Sequence, residues 1–81
     1  MNRYIATFHS HFGALLYFKT LKNQGISAKL MPTPRRVSSS CGTCVSYEFD
    51  SAVDLKDCEL DSVYLEIGCG FDCVLKKDVA L

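Results

Sequence analysis

The chain has 81 residues, 48% hydrophobic and 22% charged, a balance that suits one small folded domain over residues 1–81 and excludes a disordered or collagen-like polymer. A chain this short buries only about 60–65% of the surface its unfolded form exposes, so it can build one thin core. Its net charge is zero, yet residues 1–47 hold six cations (Arg3, Lys19, Lys22, Lys29, Arg35, Arg36) and no acid, whereas residues 48–81 hold three lysines and all nine acids. The two halves can attract each other in the fold, and anything in the first half lies among cations alone.

Tyr4 to Phe8 (YIATF) is β-branched and aromatic, and predicts a first strand. Ser10 is a plausible N-cap for a helix over residues 11–24, in which Ala14, Leu15, Phe18 and Leu21 recur at helical spacing, Lys19 and Lys22 fall in the last turns and Gly25 stops it. Ile26 to Met31 alternates, with Ile26, Ala28 and Leu30 on one face, and predicts a half-buried strand ended by Pro32. Strand character resumes at Thr43: Val45, Tyr47 and Phe49 share one face, and Cys44, Ser46 and Glu48 the other, which turns Cys44 away from the core. Ser51 followed by Asp54 suggests a capping box opening a short second helix through about Cys58. Val63, Leu65 and Ile67 alternate in a last strand stopped by Gly68-Cys69-Gly70, and residues 68–81 show no clear period and read as an irregular tail. The order β-α-β-β-α-β predicts a ferredoxin-like α+β sandwich, an antiparallel sheet with two helices on one face.

No apolar run approaches the roughly 20 residues that cross a bilayer, and MNRYIATFHSHF lacks the apolar core of a signal peptide. The cytoplasm is therefore the expected compartment, with no membrane partner. In that reducing setting five cysteines, Cys41, Cys44, Cys58, Cys69 and Cys73, point to buried small hydrophobes, redox groups or metal ligands before structural disulfides.

The chemistry concentrates in residues 32–44, PTPRRVSSSCGTC. The prolines restrict the backbone, Arg35 and Arg36 supply fixed cationic donors, and Ser38, Ser39, Ser40 and Gly42 offer hydroxyls and N–H groups around the Cys41 sulfur, a setting suited to a thiolate, persulfide or selenide. The same composition also fits a hairpin loop in which serine and glycine only make turns. Cys41-x-x-Cys44 could act as a redox pair, the first thiolate attacking and the second resolving, although thioredoxin-like enzymes place that motif at a helix N-terminus and here a strand follows. Cys41, Cys44, Cys69 and Cys73 could instead bind zinc or an iron–sulfur cluster. His9 and His11 flank Ser10, and a histidine there could serve as base for a thiol, or both could belong to a solvated turn. The basic half lacks the aromatic platform of a single-strand nucleic-acid binder.

The run LMPTPRRVSSSCG, preceded by the YIATFHS strand and the KTLKNQGI helix end, resembles the selenium/sulfur carrier protein-like family of anaerobic bacteria, small domains with a P-T-P-R-x-x-S-S-S-C-G motif. The resemblance covers about residues 3–49. It implies that Cys41 holds sulfur or selenium, with Arg35 and the serines as its surroundings. It also implies donor and acceptor proteins, of which a cysteine desulfurase is one candidate. Cys44 stands where many relatives have an aliphatic residue, and no acid occurs near Phe18 and Lys19 in the helix. No acid–base pair or cofactor motif accompanies the cysteine, so a carrier or binding module is expected before a self-sufficient enzyme, with no resident cofactor.

Overall fold

The YIATF run lies at the centre of the molecule as β1 (Asn2–Phe8), buried from Tyr4 to Phe8. The computed structural model describes residues 2–34, 37, 42–55, 60–68 and 70–76. After β1 come α1 (His11–Asn23), β2 (Ser27–Pro32), β3 (Thr43–Phe49), β4 (Leu60–Ile67) and β5 (Gly70–Lys76). The strands form one antiparallel sheet in the order β2-β3-β1-β4-β5.

The helix ends are chemically specified. Ser10 is extended and accepts a hydrogen bond from the Gly13 N–H at 3.2 Å, satisfying one donor that the first turn cannot use internally. At the other end the Ile26 N–H donates to the Leu21 carbonyl at 3.0 Å and the Gly25 N–H to Lys22 at 3.1 Å, a Schellman closure with the buried pair Leu21 and Ile26 beneath it. That closure requires the left-handed φ of +78° at Gly25. A Cβ there would meet nothing within 4 Å, so Gly25→Ala should cost only the backbone term, about 1 kcal/mol in urea unfolding. An unchanged midpoint would contradict this account of the helix stop.

Alternation along the strands divides the sheet into two faces. Tyr4, Ala6 and Phe8 of β1, Val45 and Tyr47 of β3 and Val63 of β4 meet Ala14, Tyr17 and Leu21 of α1 in the main core. An aromatic chain runs through it: Phe8 lies edge-on to Tyr17 at 5.0 Å between centroids, Tyr17 is 5.8 Å from Tyr47, and Tyr47 stacks on Tyr4 at 5.4 Å. On the opposite face Arg3 reaches Glu48 on β3 at 3.4 Å and Glu66 on β4 at 3.6 Å. With His9 3.9 Å from Asp61, these contacts join the basic half of the chain to the acidic half, as the charge pattern suggested. Half-exposed pairs of this kind contribute about 0–1 kcal/mol each.

The fold departs from the expected ferredoxin-like sandwich in two ways. The second helix predicted from Ser51 is not there: residues 51–55 are non-helical, and the rest of that prediction, to Cys58, lies outside the described residues. The Val53 N–H donates to the Tyr47 hydroxyl at 2.9 Å, and the Val53 carbonyl accepts from the Tyr17 hydroxyl at 2.7 Å. Both backbone groups that a helix would use at Val53 are thus taken by buried phenols. The segment covers the core as a strap, with Ala52, Val53 and Leu55 packed against it.

The second departure is β5, which occupies Gly70–Lys76 where the sequence showed no period. The β4–β5 register steps between Val63↔Leu75 and Tyr64↔Cys73, leaving Val74 without a partner on β4. That one-residue bulge breaks the alternation from which a strand is recognised. Gly68, at φ +54°, makes the turn that reverses β4 into β5. Among the described residues the architecture is therefore one helix and a strap on a five-stranded antiparallel sheet, and the two-helix βαββαβ arrangement does not hold.

Candidate functional site

The PTPRRVSSSCGTC stretch joins β2 to β3 at the end of the sheet where β1 passes into α1. Its base is closed one step beyond the ladder, because the Thr33 N–H donates to the Gly42 carbonyl at 2.9 Å. Further in, the Val37 N–H donates to Pro34 at 3.1 Å, and Val37 is 3% exposed. An apolar residue within a serine- and arginine-rich run therefore anchors the loop by burial. Gly42 is exposed. Cys41, Arg35, Arg36, Ser38, Ser39 and Ser40 lie outside the described residues.

Cys44 is on the face opposite α1, as the alternation predicted, but it does not reach solvent there. It is fully buried beside Thr7 and Met31 in the register, and its Sγ approaches the Pro32 carbonyl at 3.7 Å. Cys73, by contrast, is exposed on β5. Two strands, β1 and β4, separate β3 from β5, which places Cys44 and Cys73 at least about 14 Å apart at the usual strand spacing. Thiolates bound to one tetrahedral zinc lie within about 4 Å of each other, so these two cannot share an ion. Among the described residues no three metal-binding side chains converge. Cys58 and Cys69 are outside the described residues.

The start of α1 adjoins this loop. His11, the first helical residue, has its Nδ1 3.2 Å from the Thr43 hydroxyl at the beginning of β3. Phe12 beside it is 70% exposed, and the first turn of the helix holds no acid. His9 diverges toward Asp61 on β4. The β1–β4 register skips Asp61 between Thr7↔Ser62 and Phe8↔Leu60, and that skip presents its carboxylate to His9. Sequence reasoning treated the two histidines as equivalent and gave Thr43 no role; only the pairing of β3 beside β1 separates them.

A concavity of about 330 Å³ lies on the face opposite α1, lined by Arg3, Ser27, Lys29, Ser46, Tyr47 and Glu48. It is toward the far end of β2 and β3 from the loop, and Arg3 is already committed to Glu48 and Glu66.

A family model described as "Putative Se/S carrier protein-like" matches residues 3–62, most of the chain, including the whole PTPRRVSSSCGTC stretch. No curated protein and no solved structure matches it. No helix among the described residues is long and apolar enough to cross a membrane.

Proposed function

Because the chain belongs to the Se/S carrier protein-like family, we propose that it carries sulfur or selenium on Cys41 as a persulfide or selenide and delivers it to a partner protein. The observation that carries this reading is the loop itself: a serine-rich segment ending in Cys41-Gly42, closed at its base by Thr33 and Gly42 and anchored by buried Val37. In the loading step the Cys41 thiolate attacks the outer sulfur of a persulfide R–S–SH on a donor such as a cysteine desulfurase. The new S–S bond leaves Cys41–S–SH, and the donor departs as R–S⁻. Arg35 and Arg36 favour the ionised thiol, and the serine hydroxyls and loop N–H groups solvate the outgoing anion. The burial of Cys44 favours a single carrying sulfur over a Cys41–Cys44 dithiol relay.

Purified protein incubated with a cysteine desulfurase and cysteine should gain sulfur by intact mass. Cys41→Ser should abolish the gain, and Cys73→Ser should retain it. Replacing Arg35 and Arg36 by glutamine should slow Cys41 alkylation at neutral pH. Sulfur retained in Cys41→Ser, or stoichiometric zinc in the purified protein, would overturn the proposal.

A further inference from the structure

The geometry points to a binding site for a free α-amino acid in the concavity opposite α1, with Lys29 and Ser46 taking the carboxylate and Glu48 taking the ammonium. The site lies toward the far end of β2 and β3 from the loop and is independent of the role proposed for Cys41. Ser46 forms its floor. This residue is only 8% exposed, yet its hydroxyl has no hydrogen-bond partner among the described residues. A hydroxyl so far withdrawn from water ordinarily has one. No wholly buried side-chain oxygen or nitrogen among the described residues lacks a partner, so Ser46 Oγ opens into the concavity that it lines. Lys29 lies directly opposite Ser46 in the register, which brings their Cβ atoms within about 5.5 Å. Its ammonium makes no ion pair among the described residues. A cation beside an unused hydroxyl is a hold for a carboxylate.

Two residues along the strands the sign reverses. Glu48 pairs with Ser27 on β2 and with Arg3 on β1. Arg3 is shared between Glu48 at 3.4 Å and Glu66 at 3.6 Å, so one guanidinium faces two carboxylates and the group keeps a net negative charge. The contact uses Glu48 Oε1 and leaves Oε2 to accept from an ammonium. The row of Ser46 and the row of Glu48 are about 7 Å apart. An ammonium and a carboxylate on one carbon cover that separation with a hydrogen bond of about 2.9 Å at each end. The volume of about 330 Å³ is at the small end of the range for ligand sites, about 300–1,000 Å³. A simple anion would face Glu48 and a simple cation would face Lys29, so only a ligand of both signs complements the two rows.

The test is an NMR titration of the isotope-labelled protein with L-alanine, acetate and methylammonium, following the backbone amides of Ser27, Lys29, Ser46 and Glu48. Alanine should move these signals saturably. Acetate and methylammonium should each bind at least about tenfold more weakly, the factor for losing one charge-assisted contact. Lys29→Gln and Glu48→Gln should each weaken alanine binding about tenfold, and Ser46→Ala by a smaller factor. Glu48→Gln should leave acetate bound at least as well as in wild type, since only the ammonium hold is lost. Lys19→Gln, an exposed position on the helix, should leave alanine binding in place. No saturable shift by about 20 mM alanine, equal affinity for alanine and acetate, or indifference to both Lys29→Gln and Glu48→Gln overturns the proposal. Lys29 and Glu48 are exposed, so their replacement does not threaten the core, and unchanged signals from α1 will verify that the variants are folded.

Discussion

Phe8→Ala should cost about 3–5 kcal/mol, the range for truncating a fully buried aromatic side chain. Phe8 is 0% exposed and lies edge-on to Tyr17 at 5.0 Å, between the central strand and the helix. A domain of this size has about 4–12 kcal/mol of total stability, so the loss removes from a quarter to all of it. The urea midpoint should fall sharply while the slope of the transition stays near that of wild type, if the variant still folds at all. Phe12→Ala is the control: the residue is 70% exposed, and its loss should change stability by no more than about 0.5 kcal/mol. A Phe8→Ala cost below about 1 kcal/mol would mean that the core is not centred where the helix crosses β1.

Tyr47→Phe should cost about 1–3 kcal/mol although it removes one oxygen, because the Val53 N–H is left without its partner in a part-buried site. The variant should also respond differently to alkali. Burial raises the Tyr47 phenol above its ordinary value of 10.0, and the nearby Tyr4 phenol adds to the rise, whereas hydrogen bonding to Tyr17 and Val53 acts the other way. The unfolded chain therefore releases this proton at a lower pH than the folded one. Between the two values the folded state binds more protons, so its stability falls as pH rises; below the unfolded value the contribution is complete. Urea unfolding at about pH 8 and about pH 10.5 should show wild type losing more stability than Tyr47→Phe over the interval. Equal losses would show that the Tyr47 phenol is not the group responsible.

What the sequence reveals and what it hides follow one physical division. Elements whose pattern is local are legible: the Ser10 cap, the Gly25 stop and the alternation of Val45 and Tyr47 all appear where the spacing puts them. Tyr17 does not, because a phenol reads as half polar until its hydroxyl has a partner, and that partner, the Val53 carbonyl, is 36 residues away. The second helix fails for the same reason, since a capping-box signal at Ser51 is a local preference and the two phenols that claim Val53 are tertiary. β5 is hidden by one unpartnered residue, Val74. At the candidate site the loop and its family resemblance are written in consecutive residues, and the family match extends over them. The burial of Cys44 and the meeting of His11 with Thr43 depend on β3 lying beside β1.

A sheet of five antiparallel strands has two outer margins, and each could recruit another chain by offering a continuous row of backbone donors and acceptors. On the β5 margin the misfit at Val74 twists the strand out of the flat geometry that such recruitment needs, and Asp72 and Lys76 flank it with exposed charge. On the β2 margin exposed Lys29 stands mid-strand and Pro32, with no N–H to give, ends the row. Both margins thus oppose growth of the sheet into a neighbouring molecule, a form of protection against fibrillar assembly in a chain whose core is mostly strand.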